Sequence, residues 1–168
     1  MMVLLGKIYS KDKVVYSNVI KRYACRAIIF EDDKLIMIHS KKYNEYKLPG
    51  GGVEENESLI DCLVREVKEE TGLIMDKESL QEFGEFYEKR PSYKEEGTLF
   101  FQTSYYYIGR VKENTGILGL DDYEEEAGYE VVKIKPEDAL KNNQLSKRPY
   151  SQRENRILEI IVEKQLWK

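Results

Sequence analysis

The segment from Ser58 to Gly72 admits few structures, because its aliphatic and charged residues separate only when it is wound as an α-helix. Ser58 and Asp61 form a capping-box pair at its start and Gly72 supplies a stop after Thr71, so the spacing predicts a helix over about 58–71. At ~100° per residue, with Glu66 set at zero, Leu59, Leu63, Val67, Ile60 and Val64 fall at roughly 20°, 60°, 100°, 120° and 160° and form one buried stripe. Glu70 lands at about 40°, inside that stripe, and Glu69 at roughly −60°, on its edge, whereas Asp61, Lys68 and Arg65 point away. An acidic helix ordinarily turns its carboxylates to water. Here two of them border an apolar face with a third one turn away, so they repel one another and are costly to desolvate unless positive charge sits among them. Oxygen-bearing side chains at i, i+3 and i+4 are expected to converge on one point, and hard carboxylates suit Mg²⁺ or Mn²⁺ better than zinc.

The surroundings of this helix read as strands. Val3 to Tyr9, Tyr23 to Phe30 and Lys34 to His39 carry strand patterns, and the turn Glu31-Asp32-Asp33 joins the last two as a hairpin. Tyr46 to Gly52 reads as a short strand ending in a flexible loop of three glycines. Leu80 to Lys89, Thr98 to Val111 and Tyr129 to Ile134 are further strands, Pro136 opens a short helix, and an amphipathic helix runs from about Gln152 to Gln165 with Ile157, Leu158, Ile161 and Val162 on one face. Mixed strands flanked by helices predict an α/β fold, an α/β/α sandwich with a mixed sheet. The 168 residues, without repeat or linker, suit one domain.

Composition narrows the function classes. Apolar residues at 41% and charged residues at 35% fit a soluble globular chain. The opening apolar run, Met1 to Leu5, is too short for a signal peptide or a membrane span, so a cytoplasmic protein with no membrane partner is expected. The net charge of −4, with acids gathered around Glu66 to Glu70 and Asp121 to Glu126, does not indicate nucleic acid. The 13 tyrosines, Tyr105 to Tyr107 among them, are read as strand packing. Cys25 and Cys62 stand apart without CxxC spacing and are read as free buried thiols.

Gly51, Glu57, Arg65, Glu66, Glu69, Glu70 and Gly72, with aliphatic Val67 and Leu73, occupy every fixed position of the Nudix box, so residues 51–73 resemble that family's catalytic signature without a departure. Leu48-Pro49-Gly50-Gly51 before the box, and Glu130 to Val132 leading into Pro136 to Leu140 after it, are similar to the family's wider layout. The resemblance implies a single Nudix hydrolase domain over residues 1–168. It implies a pyrophosphohydrolase acting on phosphorus anhydrides, cleaving the diphosphate linkage of a nucleoside diphosphate derivative with Mg²⁺, or Mn²⁺ in its place.

Carried over by position, Glu69 and Glu70 are metal ligands, Glu66 is a ligand or a base that orients water, and Gly50 offers its carbonyl. Arg65 pairs with a box carboxylate and Glu57 buttresses the loop against the helix. A further glutamate from a late loop is also implied. Of Glu124, Glu125 and Glu126 the choice is Glu125, a surface loop of plain acids being the other account. Arg26, His39 and Lys47 are the substrate-binding candidates because their strands feed the glycine run, with a solvated surface charge as the alternative at each. A nucleoside triphosphate or modified nucleotide is the first substrate expected, and a nucleotide sugar such as ADP-ribose the second. The rival readings are a non-catalytic module that senses a nucleotide, and a diphosphate isomerase, which would need a reactive cysteine that neither Cys25 nor Cys62 has an evident neighbour to activate. Homodimers are common in the family, so a second copy is a partner the resemblance allows.

Overall fold

Three runs of the chain, residues 2–11, 13–148 and 151–168, are described in the computed structural model, which leaves Met1 of the opening apolar run outside. In chain order the strands are β1 (Leu4–Tyr9), β2 (Asn18–Ile28), β3 (Phe30–Glu31), β4 (Lys34–Ser40), β5 (Glu45–Lys47) and β6 (Gly50–Gly52). Helix α1 (Leu59–Thr71) follows, then β7 (Leu73–Met75), β8 (Gln81–Pro91), β9 (Thr98–Ile108) and β10 (Val111–Asn114). The chain closes with α2 (Asp122–Glu126), β11 (Tyr129–Ile134), α3 (Pro136–Asn143) and α4 (Ser151–Lys164).

Alternation along β2 sets the layering. Cys25 and Ala27 enter a core with Cys62, Leu63 and Val67 of α1, whereas Ile28 enters a second core with Phe86, Tyr106 and Ile157, Leu158 and Ile161 of α4. A sheet buried on both faces by helices is an α/β/α sandwich. Its main sheet runs β1-β8-β9-β2-β6 and is mixed, parallel at β1/β8 and β2/β9 and antiparallel at β8/β9 and β2/β6. A smaller sheet has β4 at its centre, antiparallel to β11 on one side and to β3 and β5 on the other.

Two sequence expectations need correction. The expected hairpin forms from residues 29–31: Phe30 and Glu31 pair with Leu35 and Lys34 around Asp32 at φ 55°, and the Ile29 carbonyl accepts the Ile36 N–H at 2.9 Å. Residues 18–28 pair elsewhere, with β9 along one edge over the whole strand and with β6 along the other at residues 24–26. The three glycines, in turn, are no flexible loop but strand β6, which pairs Gly50, Gly51 and Gly52 with Arg26, Cys25 and Ala24. What their missing side chains provide is proximity. A Cβ on Gly50, held at φ 147°, would collide with the Cys25 carbonyl oxygen, and one on Gly51 would overlap the Glu66 carboxylate.

Helix α1 begins and ends as its sequence requires. The Ser58 hydroxyl accepts the Asp61 N–H at 3.1 Å, and Gly72 at φ 72° returns its N–H to the Lys68 carbonyl. The acidic stretch near residue 124 is helical as well. Asp121 caps it through a reciprocal pair of bonds with Glu124, the Asp-x-x-Glu signature of a helix start.

Candidate active site

Glu70, only 1% exposed, is the most deeply placed carboxylate of α1. One oxygen accepts the Gly50 N–H at 2.8 Å and the other accepts Lys47 Nζ at 2.7 Å. Burial alone would lower the Lys47 pKa, but Glu70 together with Tyr129 more than offsets it and holds the ammonium charged. Glu66 lies against the backbone of Gly51 and accepts Arg65 Nη1 at 2.7 Å, while Glu69, the outermost of the three, accepts the same nitrogen at 3.3 Å. Burial pushes the Glu66 carboxyl above the usual range even though Arg65 opposes it.

Arg65 is the organising cation. It forks onto Glu57 at 2.7 and 2.8 Å and donates to the Gly52 carbonyl at 3.1 Å, and Glu57 in turn accepts the Glu54 N–H at 2.9 Å. One guanidinium therefore ties the loop over residues 53–58 to the helix and aims Glu66 and Glu69. Hydrogen bonds from Arg65 hold the Glu57 carboxyl down at about 2.

The three carboxylates share a face of α1 but do not converge. Among the described residues no group of three His, Cys, Asp or Glu is gathered closely enough to hold a metal ion. Arg65 draws Glu66 and Glu69 toward the loop, and Lys47 holds Glu70 toward the strands. The donor set nevertheless fits a hard divalent cation, since it is all carboxylate oxygen and one member is buried against another acid.

That other acid is Glu124, not Glu125. Glu125 is exposed on α2, whereas Glu124 lines the cavity and lies within hydrogen-bonding reach of Glu70. Burial raises its carboxyl to about 7, and the charge and hydrogen bond of Glu70 reinforce the shift against the Asp121 N–H, which works the other way. In metal-free protein Glu124 therefore keeps its proton in the folded state between its ordinary 4.5 and about 7. The sign follows: the folded state binds the extra proton, so the stability this group contributes is full below 4.5 and lost as pH rises to about 7. Thermal melts in EDTA from pH 4.5 to 8 are expected to fall less steeply for Glu124→Gln than for the unaltered protein, and identical slopes would reject the assignment.

Glu66 and Glu124 line a cavity of about 680 Å³ between β5, β6, α2 and α4, whereas Glu69 and Glu70 stand outside its lining. Lys47, Arg26 and Gly50 line it, but His39 does not. Its neighbours across β4 are Glu130 on β11 and Tyr46 on β5, so Nδ1 pairs with Glu130 at 3.1 Å, Nε2 with Asn44 at 2.9 Å, and the ring packs 4.7 Å from Tyr46. The sequence reading missed Arg22, Glu88, Gln102, Arg153 and Glu154, which also line the cavity. Arg22 shares the strand face of Arg26 by spacing, and Glu154 shares the helix face of Ile157, Leu158 and Ile161.

Cys25 and Cys62, far apart in sequence, are neighbours in space. Their thiols lie within hydrogen-bonding reach beneath β6, and Cys62 Sγ donates to the Gly51 carbonyl at 3.7 Å. The bond to Cys62, then burial, drives the Cys25 pKa far upward, which leaves a poor nucleophile.

Residues 20–153 match the NUDIX domain family. An ADP-ribose pyrophosphatase of Methanocaldococcus jannaschii is 42% identical over 46% of this chain and 52% of its own length. A probable DHNTP pyrophosphohydrolase of Lactococcus lactis subsp. cremoris is 43% identical over 30% of this chain and 31% of its own. The chain thus spans about half the length of the first of these curated relatives, and less of the second. Among solved structures, a NUDIX hydrolase from Nitrosomonas europaea aligns with a TM-score of 0.56 at 21% identity, covering 80% of this chain and 85% of that one. A MutT NUDIX hydrolase from Burkholderia pseudomallei aligns at 0.51 and 17% identity, covering 70% and 85%. These two likenesses concern the fold.

Proposed function

Because the chain belongs to the Nudix family, we propose that it is a metal-dependent pyrophosphohydrolase that cleaves the diphosphate linkage of a nucleoside diphosphate derivative. The observation that carries this reading is a cavity of nucleotide size lined by Glu66 and Glu124, with the almost wholly buried Glu70 bonded to its Gly50 and Lys47, and with Arg26 on its other side. Mg²⁺ or Mn²⁺ would be held by Glu66, Glu69, Glu70 and the Gly50 carbonyl, and when bound would neutralise phosphate charge and make water more acidic. Glu124 or Glu66 would serve as the base that orients water. Arg65 positions two of the carboxylates, and Lys47 exchanges Glu70 for a substrate phosphate. A nucleoside triphosphate or modified nucleotide is the substrate favoured, with a nucleotide sugar such as ADP-ribose second. No helix among the described residues is long and apolar enough to cross a membrane, and the proposal places the protein in the cytoplasm.

A second reading, a non-catalytic module that senses nucleotides, draws support from the two cations that already satisfy the box carboxylates. One screen separates them. Nucleoside triphosphates, modified nucleotides and nucleotide sugars are incubated with Mg²⁺, with Mn²⁺ or with EDTA, and products are identified by ³¹P NMR. Hydrolysis of at least one member that EDTA abolishes is expected. Ligand-induced thermal shifts without turnover of any member would favour the sensing module.

A further inference from the structure

Four buried polar atoms that lack a hydrogen-bond partner belong to one neighbourhood: Arg26 Nε and Nη1, Arg153 Nε and the Tyr106 hydroxyl. Unspent donors at that depth are costly. Arg26 is 8% exposed and lines the cavity, and its nearest carboxylate, Glu154, stands 3.9 Å from Nε, too far for a hydrogen bond. Glu154 is instead engaged by the Leu48 N–H at 3.2 Å and Arg153 Nη2 at 3.4 Å. Glu88 is likewise taken, by Arg153 Nη1 at 2.6 Å and by Gln102, which also receives Arg22 at 3.2 Å. Three guanidiniums thus stand beside two carboxylates that are already bonded elsewhere, and Arg26 is left with no carboxylate in hydrogen-bonding distance. Arg22 feels the other two: burial first, then Arg26 and Arg153, lower its pKa, against Glu66 and Glu88, which raise it.

We propose that Arg26, backed by Arg153 and by Arg22 at the rim, is a phosphoryl cradle that takes the terminal phosphoryl group of the substrate. Guanidiniums offer paired N–H donors that match phosphate oxygens, and a neutral hydroxyl or sugar ring would leave Arg26 without a hydrogen-bonded anion. A terminal phosphoryl group carries three free oxygens and up to two charges, whereas a phosphate capped on both sides carries two oxygens and one charge. The cradle therefore selects nucleotides that end in a free phosphate over those whose diphosphate is capped by a second sugar. This rests on the hydrolase reading for the word substrate, but the binding it asserts needs neither metal nor turnover.

The test is isothermal titration calorimetry in EDTA at low salt, with inorganic pyrophosphate, ATP and ADP-ribose as probes and Arg26→Gln, Arg22→Gln and Lys112→Gln as variants. Arg26→Gln is expected to weaken pyrophosphate and ATP by about tenfold or more, the scale of a charge-assisted hydrogen bond, and ADP-ribose by less than about twofold. Arg22→Gln, which removes only a rim charge, should weaken pyrophosphate and ATP by roughly three- to tenfold and carries the test if the Arg26 variant melts below the assay temperature. Lys112 is exposed on β10, away from the cavity, and its variant should match the unaltered protein. Pyrophosphate that fails to bind the unaltered protein, or equal losses for ATP and ADP-ribose, would overturn the cradle. Absence of hydrolysis in the metal-loaded screen, with these affinities intact, would overturn the hydrolase reading alone.

Discussion

Glu70→Gln is expected to lower kcat/KM by more than about 100-fold with the fold retained, because ligand loss should exceed the 10–100-fold typical of groups that merely orient ligands. Glutamine keeps the shape of the side chain and can still accept the Gly50 N–H that Glu70 receives at 2.8 Å. What disappears is a negative charge buried beside Glu124, and with it the reason for a divalent cation to sit there. Removing one partner of a fully buried ion pair costs ~3–5 kcal/mol, but the Lys47 side chain is 25% exposed and can turn to water. The cost to stability should therefore stay near 1–2 kcal/mol, a fall in Tm of roughly 2–8 °C for a chain of this size. Steady-state kinetics, Mn²⁺ titration followed by electron paramagnetic resonance and a thermal melt read the three quantities separately. Activity within tenfold of the unaltered protein, with Mn²⁺ affinity unchanged, would remove Glu70 from the ligand set.

The depth of Glu70 was legible in the sequence because α1 is a long, capped helix whose register is local, and a residue's angle on it suffices to say what it faces. The same arithmetic applied to α4 places Glu154 in line with Ile157, Leu158 and Ile161, and this second buried carboxylate, 4% exposed, could have been found that way. Glu124 was separable from Glu125 by the Asp-x-x-Glu cap, a local signal that reading the stretch as a plain loop passed over. Other features depend on pairings that no local pattern carries. The parallel register of Asn18 with Thr98 joins segments nearly half the chain apart, and only that pairing, with β6 on the other edge, reveals why the hairpin strand is not β2. His39 is near the glycine run in sequence, yet its cross-strand neighbours Glu130 and Tyr46 claim its ring. Cys25 and Cys62 meet only because Gly51 pairs with one while the helix carries the other beneath it.

The glycines of β6 separate the two things this site needs, a backbone that fits and a carboxylate that is free to work. Gly50→Ala is expected to destabilise the protein by about 3 kcal/mol or more, since a positive φ of that kind costs a non-glycine residue ~1–3 kcal/mol and overpacking adds ~1–3. The new Cβ meets backbone, the Cys25 carbonyl oxygen and, at 2.7 Å, the Arg26 Cα, and neither can swing aside without breaking the β2/β6 pairing. The fall in Tm should be at least about 6–12 °C. Gly51→Ala is different in kind, because the nearest atoms to its Cβ would be the far end of the Glu66 side chain, which can turn away at little cost to folding. Its melt should lie within a few degrees of the unaltered protein, while Glu66, displaced from the strand and from Arg65, loses its place among the carboxylates and kcat/KM falls by roughly 10–100-fold. Two alanines one residue apart would then act on different quantities, the first on the melt and the second on turnover. A Gly50→Ala protein that melts like the unaltered one would show that β6 is not held against β2 as the structure has it.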